Sequence, residues 1–238
     1  MDIEGPSSEP LANLSSERKG KMSYLIGLNL HLILLVSSAG FVLAGNNQVG
    51  AVLAIKNAWG TKTDLNNTII SSVGITGLIL GSLLSSKFVG MGRRKYAMIN
   101  CLIIMISVLP TIIFPDLWII CIGRFIFGFA AGANITCASM MQGETVPKAN
   151  ASAFAATINL GIITGIMVCL FTGLPILDLT VAEAIATSLW MIVYGFPIAT
   201  SLISILLFLF VFKEEPIDYL ISKGDVMEEA KMMITKVY

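Results

Sequence analysis

The sequence predicts an all-α integral membrane protein, built as a bundle of six transmembrane helices. Three observations lead there. Six apolar stretches lie near residues 23–44, 68–87, 96–114, 117–141, 151–173 and 187–212. Each approaches or exceeds the roughly 18–20 residues a helix needs to cross the hydrocarbon core of a bilayer. The chain is 55% hydrophobic and only 13% charged, where a soluble domain carries about a quarter charged residues. The charges fall between the stretches and almost never inside them. A helix satisfies its own backbone groups, so such stretches can live in lipid where loops and open sheets cannot.

Residues 1–22 open acidic and polar, with Asp2, Glu4, Pro6, Glu9 and Pro10. They read as a disordered cytosolic tail and not as a cleaved signal, because the following apolar run is too long for a signal core. Residues 23–212 form the transmembrane domain. Its first stretch runs into Asn46, Asn47 and Gln48. Three consecutive amides cannot all face lipid, so at least one faces a cavity or a partner helix. Residues 56–67 form a longer polar connection, expected outside, with the glycosylation sequon Asn66-Asn67-Thr68 abutting the second stretch. Lys87, Arg93, Arg94 and Lys95 separate the second and third stretches, and Pro115-Asp116 makes a tight turn before the fourth. The fifth carries Asn159 between Thr157 and Thr164. After the sixth the composition flips. Residues 213–238 carry many charges, and Val226, Met227, Ala230, Met233, Ile234 and Val237 recur at helical steps. This is a cytosolic amphipathic helix for a membrane face or a partner surface.

The net charge is zero, with 15 basic and 15 acidic residues, so nothing points to nucleic acid. The placement of charge says more. Arg18, Lys19 and Lys21, the Lys87–Lys95 cluster, Lys148 and Lys213 all fall at one side of the alternating topology. Lys56 and Lys62 alone fall at the other. The positive-inside rule then places both termini in the cytosol, most simply at the plasma membrane.

Small residues recur four apart at Gly77 and Gly81, Gly128 and Gly132, and Gly161 and Gly165. Such pairs let helix backbones approach closely, and they report a compact bundle, not a substrate. Cys101, Cys121, Cys137 and Cys169 fall inside stretches at spacings that fit no metal or redox motif. His31 stands alone and reads as a hydrogen-bonded packing histidine. No catalytic or metal-ligand cluster appears, so neither an enzyme nor a cofactor is indicated.

Polar groups inside a bilayer are expensive and are functional candidates by default. Arg124, near the outer end of the fourth stretch, must snorkel to the interface or find an acceptor inside the bundle. Glu144 lies at the inner end of the same stretch. A structural or gating role is the first reading for both. The amides near Asn47 and Asn159 suit a neutral polyhydroxyl ligand, and they equally suit hydrogen bonds between helices.

Several segments in order resemble the N-terminal half of the sugar porter branch of the major facilitator superfamily. Gly81 to Arg94 (GSLLSSKFVGMGRR) is similar to the basic loop between that family's second and third spans. Gly123-Arg124-Phe125-Ile126-Phe127-Gly128 is similar to its fourth-span signature, and Gly143 to Ala151 (GETVPKANA) to the exit from that span. Ile158 to Ile166 resembles the stretch holding a sugar-contacting glutamine, here Asn159. Glu214 to Ala230 resembles the Pro-Glu-Ser-Pro motif and the first intracellular helix. The resemblance implies facilitative movement of a hexose or similar small neutral sugar. It implies sugar contacts at Asn47 and Asn159, and gating or structural roles for Arg93, Arg94, Arg124 and Glu144.

The departures are specific. Val89 stands where the family usually has an acidic or amide residue, and Ala151 where it has an arginine. The arginine after Pro-Glu-Ser-Pro has no clear counterpart near Ile217. These groups normally clamp the cytosolic ends of the two halves, so the clamp is expected to be depleted. Asn47 falls where proton-coupled members often carry aspartate. An amide cannot titrate, which favours passive transport. The family has two six-span halves around one substrate site. The first reading is therefore a transporter half that pairs with a second half or with a copy of itself. The second is a truncated, non-transporting half that serves as regulatory or structural partner of a full transporter.

Overall fold

The computed structural model describes residues 22–44, 63–114, 116–177, 189–216 and 219–220. Six long helices dominate: α1 (Met22–Ala44), α2 (Thr63–Phe88), α3 (Arg93–Ile113), α4 (Leu117–Thr145), α5 (Thr157–Leu177) and α6 (Leu189–Phe210). No strand occurs among the described residues. All six helices are long and apolar enough to cross a membrane.

The bundle is organised by two close helix pairs, α2 with α4 and α1 with α5. Between them α1 touches α4, while α3 packs on α4 and α6 packs on α3 and α1. The glycines explain the pairs. A Cβ at Gly77 or Gly81 would run into the carbonyl oxygen of Phe125 or Phe129 on α4. One at Gly128 or Gly132 would run into that of Gly74 or Leu78 on α2. In the second pair, Gly165 meets the Ser37 carbonyl and Gly40 meets that of Ile162. Lipid tails are as apolar as leucine, so helices in a membrane associate through such close packing.

The core has two layers along the bundle axis. The inner layer joins Leu28, Leu32 and Val36 of α1 to Tyr96, Cys101, Cys137 and Phe208. The outer layer joins Ala39, Phe41 and Val42 to Ile104, Val108, Ile120, Phe127 and Tyr194. The four cysteines are buried free thiols. His31 is buried and packs on the rings of Phe208 and Phe212, with centroids at 4.3 and 5.2 Å. Its two ring nitrogens make no hydrogen bond of ordinary geometry, although the imidazole faces the Ser204 backbone, so packing against the two rings is its clearest contact. Leu83, Ile106, Trp118, Ile122 and Phe210 are exposed, as side chains that face lipid are.

The helix boundaries differ from the sequence reading in three places. Helix α2 begins at Thr63 and takes in the end of the connection assigned to 56–67. The hydrocarbon core sets the length of the apolar run, not of the helix, and polar residues continue the helix beyond it. Asn66 of the sequon is therefore helical and buried. Helix α4 runs on to Thr145, where Val146 turns extended (φ −79°, ψ 121°) ahead of Pro147, since the residue before proline avoids the helical region. The fifth stretch is broken at residues 155–156, between a single turn at Ala151–Phe154 and α5. At the start of α4, Asp116 accepts the Trp118 N–H at 3.1 Å and caps the helix. The tail at 1–21 and nearly all of the amphipathic segment from 217 onward lie outside the described residues.

Candidate functional site

Three polar places interrupt the apolar bundle. The first is at the end that carries the start of α1 and the end of α6. A single turn, Val89–Met91, links α2 to α3, and Gly92 follows with φ +118°. Side chains other than glycine rarely adopt that backbone. It aims Arg93 at the end of α4. Arg93 Nη2 donates to Glu144 Oε1 at 2.7 Å, and Nε reaches both carboxylate oxygens at 3.1 and 3.2 Å. Nη1 donates to the Val89 carbonyl at 3.0 Å, and the guanidinium lies 4.8 Å from the Tyr219 ring centre. The pair is about four-fifths buried, at 18% and 20% side-chain exposure. Forked, charge-assisted geometry of this kind is the strong form of an ion pair.

The same turn is tied to the segment after α6. Glu215 Oε2 accepts the Arg94 N–H at 3.0 Å, inside the first turn of α3. Arg94 Nη1 donates to the Lys213 carbonyl, and the Tyr219 hydroxyl lies 3.3 Å from the Gly90 carbonyl. The N-cap residue Gly92 offers no side chain. Glu215 therefore supplies from another element the acceptor that the turn itself lacks, with Val89 buried in the core. At this end Val89 is buried and Ala151 exposed, and Ile217 lies outside the described residues. Glu215 and Tyr219 provide a different set of ties. Glu144→Gln should cost about 1–3 kcal/mol, the usual worth of a charged hydrogen bond. Thermal unfolding of the purified variant in detergent would check this, with an unchanged midpoint counting against the ion pair.

The second place is Arg124. It is 4% exposed, so it does not snorkel. Its Nη1 lies 3.3 Å from the Tyr194 hydroxyl on α6, and its Nε has no partner. Among the described residues no carboxylate pairs with it; the one salt bridge is Arg93 with Glu144.

The third place is on α1 and α5. Thr157 Oγ1 donates at 2.9 Å to Asn29 Oδ1, and Asn29 Nδ2 donates to the Leu25 carbonyl at 2.8 Å. This is the interhelical use of neutral polar groups. The pair sits in a groove of about 230 Å³ with Leu30, Ile33, Phe154 and Leu160. One residue past Ile158 is Asn159, exposed on a face of α5 that also presents Leu160, Ile163 and Met167. Thr164 Oγ1 bonds to the Leu160 carbonyl of its own helix at 2.7 Å. Asn47 lies outside the described residues.

Of the six residues singled out in the sequence, the fold brings Arg93, Arg94 and Glu144 together. Arg124 lies in the outer core layer, and Asn159 stands apart on the surface of α5. Sequence reasoning missed Glu215, Tyr219 and Tyr194. Glu215 had a signal, an acid at the serine position of the Pro-Glu-Ser-Pro resemblance. Tyr194 had none, because only the packing of α6 on the bundle brings it to Arg124. Among the described residues no group of His, Cys, Asp and Glu side chains could hold a metal.

Comparison with known proteins gives a consistent picture. The family model described as sugar (and other) transporter matches residues 24–237. Hexose transporter 1 of Plasmodium falciparum (isolate 3D7) is 28% identical over 98% of this chain and 50% of its own length. Hexose transporter 1 of Plasmodium vivax (strain Brazil I) is 26% identical over 98% and 49%. The chain thus spans about half the length of these relatives. The fold is shared with a major facilitator superfamily proton:xylose symporter, XylE, bound to 6-bromo-6-deoxy-D-glucose. That match has a TM-score of 0.78 and 19% identity, over 90% of this chain and 50% of the other. An inward open XylE from E. coli gives a TM-score of 0.71 at 17% identity.

Proposed function

The chain belongs to the sugar (and other) transporter family, and from that premise we propose that it forms one half of a passive transporter for a hexose or similar small polyol. The observation that carries this reading is Asn159, an exposed amide among exposed Leu160, Ile163 and Met167. Lipid gives an amide no partner. A polar cavity closed by a second six-helix body does, and it offers the donors and acceptors a sugar hydroxyl needs. Asn47 completes the reading from sequence, as an amide that cannot take up a proton. Arg93, Arg94 and Glu144 stiffen one end of the half, so that it can move as a body. The reading has both termini cytosolic in a plasma-membrane protein, with the basic end of the bundle inward.

Alternating access needs two bodies around one site. Reconstitution of the 238-residue chain over a range of protein-to-lipid ratios tests the proposal. Stereospecific hexose uptake that rises with the square of protein density supports a pair of copies as the working unit. Saturable uptake in vesicles holding single copies, at the same rate per copy, would overturn the need for a second half. Absence of uptake at any density, even with a separate second half supplied, would sink the transport reading in favour of a non-transporting partner. Where uptake or binding is seen, Asn159→Leu should weaken sugar affinity by about 1–3 kcal/mol, the cost of an unmatched polar partner. Unchanged affinity measured by tryptophan fluorescence titration would remove Asn159 from the site.

A further inference from the structure

Among the described residues, the basic end of the bundle carries more positive charge than its fold pairs. Glu144 is taken by Arg93, Glu215 is turned inward onto the Arg94 N–H, and Glu214 has an interaction of its own. Lys87 and Lys95, on either side of the turn between α2 and α3, are exposed and make no ion pair among the described residues. Lys148 and Lys213 are exposed at the same end. Two apolar side chains flanking the buried Val89 are also outside: Phe88 is 48% exposed and Met91 52%. Gly90 between them has nothing near it on the side a Cβ would take. At the opposite end of α3, by contrast, the exposed charge among the described residues is Asp116.

We infer that the turn at residues 87–95 binds the anionic lipid headgroups of its own leaflet, with Phe88 and Met91 in the acyl boundary and Lys87 and Lys95 on the phosphates. The chemistry fits because α2 and α3 cross the membrane, so their shared turn must sit where hydrocarbon meets headgroups. An exposed aromatic and a methionine there gain from entering the boundary. Two ammonium groups beside them, in no ion pair among the described residues, are drawn to a negative surface. The fold fixes the pair. Phe88 stacks on Tyr96 at 6.4 Å between ring centres, and the Arg93 and Glu215 ties hold the turn in place. This inference rests on the membrane-spanning fold and is independent of sugar transport.

The test uses the full chain in lipid nanodiscs with a fluorophore on Met91→Cys, since the native cysteines are buried. Quenching is compared for brominated phosphatidylglycerol and brominated phosphatidylcholine. A second reporter at Ile113→Cys, exposed at the other end of α3, is the control. Each lysine near an anionic surface is worth about fivefold in affinity. The Met91 reporter should prefer phosphatidylglycerol by several-fold to about 30-fold, and the Ile113 reporter should not. The preference should fall to near unity in Lys87→Gln/Lys95→Gln and shrink in high salt. Equal quenching by both lipids, an equal preference at both ends, or a preference unchanged in the double variant would each overturn the inference. Phe88→Ala with the lysines intact should lower quenching by both lipids while keeping their ratio. A ratio that collapses instead would show that the lysines do not read the headgroup.

Discussion

Gly128→Val is expected to abolish most of the folded protein, while Gly195→Val leaves it nearly intact. Both glycines lie in membrane helices, so propensity and hydropathy change alike. They differ in what a side chain would meet. At Gly128 the first added carbon would run into the Gly74 carbonyl on α2, whereas at Gly195 nothing lies within 4 Å. The α2–α4 contact is the most extensive in the bundle, and Gly74, Gly77, Gly81, Gly128 and Gly132 meet along it. Pushing these backbones apart loosens the whole face, so the cost should reach or exceed the roughly 3 kcal/mol at the top of ordinary overpacking. Fluorescence-detected size exclusion of both variants, followed by thermal unfolding, reads the difference. Equal yield and equal melting for the two would sink the close-contact account of this pair.

That interface was legible in the sequence because glycine at four-residue spacing has one main use inside a membrane helix. The six crossings were legible too, since hydrocarbon thickness sets the length of an apolar run. The ends of helices were not. Helix α2 continues through Thr63, Leu65 and Asn66, where lipid no longer dictates composition, and only the backbone decides. The cluster at the basic end was half legible. Arg93 and Glu144 could be picked out as charges bordering spans, but their pairing depends on where α4 ends, at a proline. Glu215 was hidden by the resemblance itself. The familiar motif has serine there, and only the fold shows that the acid at that position reaches the Arg94 N–H. Asn159 shows the limit from the other direction. The fold puts it on a face that no other described helix covers, and one chain's sequence carries no signal for what lies against it.

Arg124→Met should leave the fold as stable as before or more so, while the hexose uptake proposed for this chain falls steeply. The sequence alone points the other way. A cation deep in a span implies a buried anionic partner, and removing the cation would strand it at a cost of about 3–5 kcal/mol. Among the described residues the structure shows no such partner. Arg124 is buried against Tyr194, with its Nε unmatched and no carboxylate beside it among the described residues. Among the described residues, deleting the guanidinium strands nothing charged, and Tyr194 keeps another interaction. Methionine fills similar length with no desolvation cost, and such replacements of buried charge are often neutral or stabilising by about 1–4 kcal/mol. A group that costs stability and stays in a membrane helix is best explained by what it does when the protein works. The decisive measurement pairs melting temperature in detergent with hexose uptake in vesicles for the same variant. A lower melting temperature would make Arg124 a structural residue after all. Normal melting with normal uptake would leave its charge without a role in either.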